Sequence, residues 1–175
     1  MKINLGTSTI GRKNATTTTS RYLLPFQGNT VMTIKEITEG ESAAGNVTLT
    51  FVLHGKEDDC RGKIVEYKIP VSGTNSRGEE NVLRLKELLV SVYSGLMETS
   101  EAYTKVNSML GQDLEVSDIR NELLGKDVFV DVKAEFGNNG RLRSSIKKCI
   151  AASTLAKNTE AGVHRRELPE EQASA

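Results

Sequence analysis

Two alternating segments between Gly45 and Ile69 leave this chain few ways to fold. In the first, Val47, Leu49, Phe51 and Leu53 share one parity and Asn46, Thr48, Thr50 and His54 the other, with Val52 as an apolar intruder. Successive side chains of a strand point to opposite faces, so this is the pattern of a half-buried strand. In the second, Val65, Tyr67 and Ile69 alternate with Ile64, Glu66 and Lys68, with Gly62 before them and Pro70 closing the run. A short polar turn joins the two, which predicts the second and third strands of a small, curved antiparallel sheet.

The remaining elements fall into place around this hairpin. Tyr22 to Ile37 predicts a first strand, entered through Leu24, Pro25 and Phe26 and bent at Gly28, and residues 38–44 predict a loop. After a polar connection, Val82, Leu85, Leu88, Leu89, Val92 and Leu96 recur at helical spacing within residues 80–98. Residues 99–124 predict a helical insertion, with a short helix starting near Ser117, Asp118 or Asn121 and ending at Gly125, so the helical segment covers about 79–124. A strand over 126–136 places Val128, Val130, Val132, Ala134 and Phe136 on one face and Asp127, Phe129, Asp131, Lys133 and Glu135 on the other. Gly137, Asn138, Asn139 and Gly140 form a hairpin turn. On the returning strand Leu142 and Ile146 point inward, and Arg141, Arg143, Ser145 and Lys147 form an outer basic stripe at about 7 Å per step.

The order is three strands, a helix and two strands, which is the connectivity of an OB-fold. The expected class is therefore mainly β: a five-stranded OB-fold barrel over residues 21–152, with the helix between strands 3 and 4. A polar, threonine-rich basic arm (1–20) and a C-terminal segment (153–175) are expected as flexible tails. An unrelated α+β sandwich is the alternative architecture.

A chain of 175 residues is about one domain, long enough to bury a core without disulfides. Cys60 and Cys149 are too few for a disulfide framework and read as reduced thiols. No apolar run approaches the roughly 20 residues of a membrane helix. The N-terminus has no apolar signal region, so the expected location is cytoplasmic, with no membrane partner. The net charge is zero but unevenly spread: residues 1–35 carry +5, 36–140 carry −8, 141–166 carry +6 and the last nine −3. Two basic ends that meet in the fold would make one positive surface.

Catalytic patterns are absent from the sequence. His54 and His164 belong to no zinc motif, and no P-loop, GxSxG or dinucleotide-binding glycine pattern occurs. The run Glu57, Asp58, Asp59 reads as solvated charge in a turn, so neither an enzyme nor a cofactor is expected. A barrel that holds a single strand needs cations along the phosphates and aromatic faces for the bases. Arg61, Lys63 and Lys68 around the third strand and Arg141, Arg143 and Lys147 on the fifth supply the cations. Among the scarce aromatics, Tyr22, Phe26, Tyr67 and Phe129 are candidates for a groove, with core packing the alternative for each, whereas Phe51 and Phe136 lie in phase with the core. Phe129, between Asp127 and Asp131, either stacks on a base or lies under the helix or a partner.

Four pieces, GNTVMTIKEI (28–37), GNVTLTFVLHG with RGKIVEY (45–67), LLGKDVFVDV (123–132) and GRLRSSI (140–146), resemble in their order a family of phage-encoded single-stranded DNA-binding proteins with an OB-fold. The resemblance covers roughly residues 22–150, and residues 99–122 look longer than the family pattern requires. It implies coating of single-stranded DNA in phage replication or recombination, with Arg61, Lys63, Arg141 and Arg143 as the residues carried over. It also implies replication or recombination proteins as partners of an acidic tail, which is short here: Glu167, Glu170 and Glu171. Two other readings stand beside it. One is a protein-interaction or assembly module of a phage complex, and the other an auxiliary domain of a nuclease or recombinase. An exposed edge strand would support a homodimer.

Overall fold

A computed structural model of the chain describes residues 2–10, 18–19, 23–57, 59–74 and 76–170. Tyr22, Asp58 and Glu171, named above, lie outside the described residues, as do Arg12, Lys13 and Arg21 of the basic N-terminal stretch. In chain order the elements are β1 (Lys2–Asn4), β2 (Thr18–Thr19), β3 (Gln27–Glu41), β4 (Val47–Gly55), β5 (Ile64–Pro70), α1 (Leu83–Ser94) and α2 (Thr99–Ser108). They continue with β6 (Asp113–Glu115), α3 (Val116–Leu123), β7 (Asp127–Phe136), β8 (Leu142–Ile150), α4 (Ala152–Glu160) and β9 (Arg165–Arg166).

The hairpin read from Gly45 to Ile69 is β4–β5, an antiparallel ladder running from Thr48 opposite Pro70 to His54 opposite Ile64. Its alternation is the burial pattern: Leu49, Phe51, Leu53, Val65, Tyr67 and Ile69 are fully buried. β3 is longer than expected and runs through residues 38–41, which the sequence assigned to a loop, because Thr38 to Glu41 pair with Thr50 to Val47. Between Ile34 and Glu36 the ladder slips by one residue. Such a bulge bends and twists its strand, and here it lets one strand serve two neighbours. The first half of β3 pairs with β7 (Gly28 opposite Val132, Thr33 opposite Asp127) and the second half with β4.

The main sheet runs β2-β8-β7-β3-β4-β5, and its ladders are antiparallel. The protein is thus mainly β. The two ends of this path, β2 and β5, draw close, and β8, the neighbour of β2, also approaches β5; no ladder joins β5 to either among the described residues. The inner face is filled by Met32, Ile34, Phe51, Leu53, Val65, Val128, Val130, Val132 and Ile146. Helix α1 packs on β7 and β8 at the seam.

α1 is shorter than the 80–98 pattern, since Glu80 is held in an isolated bridge with Thr74 and the helix stops at Gly95. Every residue from Leu85 to Ser94 is buried. A helix covered all round lies between two layers, and the outer layer here comes from parts of the chain expected to be loose. β1 pairs with β6, and Ile3, Leu5 and Ile10 are buried, so the start of the N-terminal arm is docked. Lys86 Nζ donates to the Ser8 carbonyl at 2.7 Å. The helical insertion is two helices, α2 and α3, around the short β6, and buries Ala102, Val106, Val116, Ile119 and Leu123. Tyr93 Oη donates to Glu122 at 2.6 Å, tying α1 to α3.

The segment after 152, expected as a flexible tail, forms α4 and β9. α4 contains no buried residue, so hydrophobic periodicity could not announce it. Polar contacts hold it: Ala152 N donates to Ser94 Oγ at 2.8 Å, and Asn158 Nδ2 to Asn29 Oδ1 at 2.6 Å. β9 then pairs with the start of β3, Gln27 opposite Arg166 and Gly28 opposite Arg165. Gly28 has φ +128°, and a Cβ there would lie 2.1 Å from the His164 carbonyl oxygen, so any side chain at 28 would displace this strap. No helix among the described residues is long and apolar enough to cross a membrane.

Candidate nucleic-acid interface

Register decides where the candidate residues lie. The β4–β5 turn and the β7–β8 turn both sit at the end of the sheet where β3 begins: Cys60 Sγ is 3.7 Å from Thr30 Oγ1, and Ala134 N donates to Gln27 Oε1 at 3.2 Å. Exposed Arg61 and Lys63 on the first turn therefore share one end with exposed Arg141 and Arg143 on the second. Lys68 is exposed but lies farther along β5, opposite Thr50. Lys147 is half-buried at a second register slip, where Asp131 faces Lys148 and Val132 faces Ile146. The slip ends the regular alternation of β8. The exposed stripe is therefore cut back to Arg141 and Arg143: Ser145, expected on the outer face, is buried, and Lys148, not Lys147, takes the place opposite Asp131.

Neither candidate stacking residue on the strands offers a free ring. Tyr67 is fully buried; burial, with Cys149 and Glu87 adding to it, pushes its hydroxyl well above the usual range. Phe129 lies under the end of α1, where a Cβ on Gly95 would come within 2.9 Å of its ring. Its backbone is fixed there as well, since its N–H donates to Ser91 Oγ at 2.8 Å and the same hydroxyl donates to its carbonyl at 3.0 Å. Packing under the helix is the alternative that the structure takes. Phe26 is buried too, beneath the Arg165 guanidinium at 3.9 Å from the ring centre.

Phe136 departs from its expected place in the core, with 41% of its surface exposed. Its parity is that of the core, but β7 and β8 run past the start of β3, where the last β3–β7 pair is Gly28 with Val132. Periodicity assigns a face, and only the extent of the neighbouring strand decides whether that face is covered. Of the seven aromatic side chains described, Phe136 alone is in the exposed class.

The charges at this end are sorted by the strap. Arg165 donates to Asp59 at 3.0 Å through Nε, to Glu57 through Nη2, and to the Asn29 carbonyl through Nη1. Arg166 pairs with buried Asp131 at 3.3 Å, and Lys133 with Glu135 at 2.5 Å. The acidic turn is thus held by a guanidinium, while Lys63, Arg141 and Arg143 have no ion pair among the described residues. Paired acids and unpaired bases leave a surplus of positive potential for an anionic chain. The strap was the part of the site that sequence reasoning missed. Its signal was the Arg165–Arg166 pair inside a segment otherwise read by composition.

Under the seam lies a group of buried polar side chains. Glu87 is 6% exposed, and neither carboxylate oxygen has a hydrogen-bond partner among the described residues; the same is true of Tyr67 Oη. Burial raises the Glu87 pKa to about 7 against the opposing charges of Lys148 and Arg84. Burial likewise pushes the Cys149 thiol up, and Glu87 adds to that shift.

No family model and no curated protein matches this chain.

Proposed function

We propose that this chain binds single-stranded DNA with little sequence preference, on an OB-type barrel, as a non-catalytic coating protein of phage replication or recombination. The barrel reading is supported by β3 pairing on both sides, by the order of β3, β4, β5, α1, β7 and β8, and by the approach of β5 to β8 over α1. The observation that carries the functional reading is the meeting of two turns, Arg61–Lys63 and Arg141–Arg143, at one end of the sheet while the acids beside them are engaged by Arg165, Arg166 and Lys133. Cations tracking a backbone give binding that is independent of sequence and sensitive to salt.

The test is fluorescence anisotropy with labelled single-stranded and duplex oligonucleotides of one sequence, at low and moderate salt. Preferential binding of the single strand that weakens steeply with salt is the expected result. Absence of binding to both at low salt would overturn the reading, and salt-insensitive self-association without DNA affinity would replace it with an interaction module.

A further inference from the structure

We propose that the C-terminal strap is an internal activator of the strand-binding end: Arg165 keeps Glu57 and Asp59 of the β4–β5 turn neutralised, so that docking of the strap and binding of a single strand stabilise each other. The inference rests on the single-strand reading and names the regulation of that site, with Arg165 as a positioning residue that acts through the two carboxylates. One open cleft is lined by Glu57, Asp59, Arg61, His164 and Arg165, so the strap, the acids it engages and a candidate phosphate ligand share one wall.

The sign of the charge at this end depends on the strap. Lys56 is drawn away to Asp127 at 2.6 Å. Within residues 57–63 three acids then face two bases, and within residues 131–143 two acids face three bases, so the two turns together sum to zero. Arg165 and Arg166 add two positive charges, and Glu167 after them returns one. The positive surplus offered to an anionic chain is therefore the strap's.

The strap is also held in a way that lets it leave. Asn29 N donates to the His164 carbonyl at 2.6 Å and Gln27 Nε2 to the Glu167 carbonyl at 2.9 Å, and the ladder is two residue pairs long. α4, which tethers it, buries no residue. An element with few buried apolar contacts opens well below the cost of global unfolding. Arg165 supplies the ionic part of the docking, bonded to Glu57 and Asp59 above the Phe26 ring. Undocking removes that counter-ion and leaves the two carboxylates to repel a phosphate chain beside Arg61. By linkage, a strand that binds the docked form better holds the strap down by the same factor.

A mutant cycle on the full chain tests this, with labelled oligo(dT) followed by anisotropy at low salt. Arg165→Ala is expected to lower affinity at least about 5-fold, the lower end of the range for coupled sites. In Glu57→Gln/Asp59→Asn, which lacks the two carboxylates that Arg165 engages, the same replacement is expected to change affinity by less than about twofold. Amide exchange over residues 161–167 of the wild type is expected to slow when oligo(dT) binds. Wild-type affinity in Arg165→Ala would overturn the proposal. So would an equal loss in both backgrounds, which marks a direct phosphate contact or a general loss of structure, and so would unchanged exchange over residues 161–167 in the bound wild type. If the wild type binds no oligo(dT), the single-strand reading itself falls and takes the coupling with it.

Discussion

Replacing Arg141 and Arg143 together with Ala is expected to lower affinity for a single-stranded oligonucleotide roughly 25-fold at 0.1 M salt and to flatten the log–log salt slope by about 1.4. Each phosphate neutralised on a single strand releases condensed counterions and contributes about 0.7 to that slope. Two such contacts, extrapolated from 1 M to 0.1 M salt, give the stated loss. Both side chains are exposed and have no ion pair among the described residues, so their removal should leave the thermal midpoint nearly unchanged. Equilibrium titrations of both proteins across a salt series decide the matter. An unchanged slope would remove the β7–β8 turn from the phosphate track.

Glu87→Gln is expected to stabilise the protein at pH 8 and to do little at pH 5. The carboxyl is buried under the seam without a hydrogen-bond partner among the described residues, and its pKa is raised from 4.5 to about 7. Between those values the folded state holds a proton that the unfolded state has released. Stability therefore falls as pH rises from about 4.5 to 7, and the loss is complete above 7. The size is on the order of 3 kcal/mol. Gln fills the same volume without a charge and keeps a desolvation cost of its own, so a gain of about 1–3 kcal/mol is expected at pH 8. At about 2–4 °C per kcal/mol for a chain of this size, melting curves at pH 5 and pH 8 resolve it. A difference between wild type and variant that does not change with pH would show that Glu87 does not titrate in this window.

Strands with one wet face were legible in the sequence. β4, β5 and β7 alternate, and the residues assigned inward on them are buried, apart from half-buried Val47 and exposed Phe136. What failed to show lacks a local signature. The β3 bulge at Lys35 and the β8 slip at Lys147 are properties of pairing, since each leaves the composition of its own strand ordinary. The docking of Ile3, Leu5 and Ile10 and of the Arg165–Arg166 strap depends on partners about a hundred residues away in the chain. Three apolar residues or two arginines in a polar run carry no period. Half of the candidate site followed from residue type and strand parity, as with Arg141 and Arg143. The rest turned on which faces find cover, and this moved Tyr67 and Phe129 into packing and left Phe136 outside.

The central claim is that the end of the sheet where β3 begins receives the single strand, and amide hydrogen exchange with and without saturating oligo(dT) tests it most directly. The account predicts slowed exchange in the β4–β5 turn (residues 56–63) and the β7–β8 turn (residues 136–143), with no change at the opposite β3–β4 turn (residues 42–46). Protection confined to residues 42–46, or to the α2–α3 layer, would contradict it.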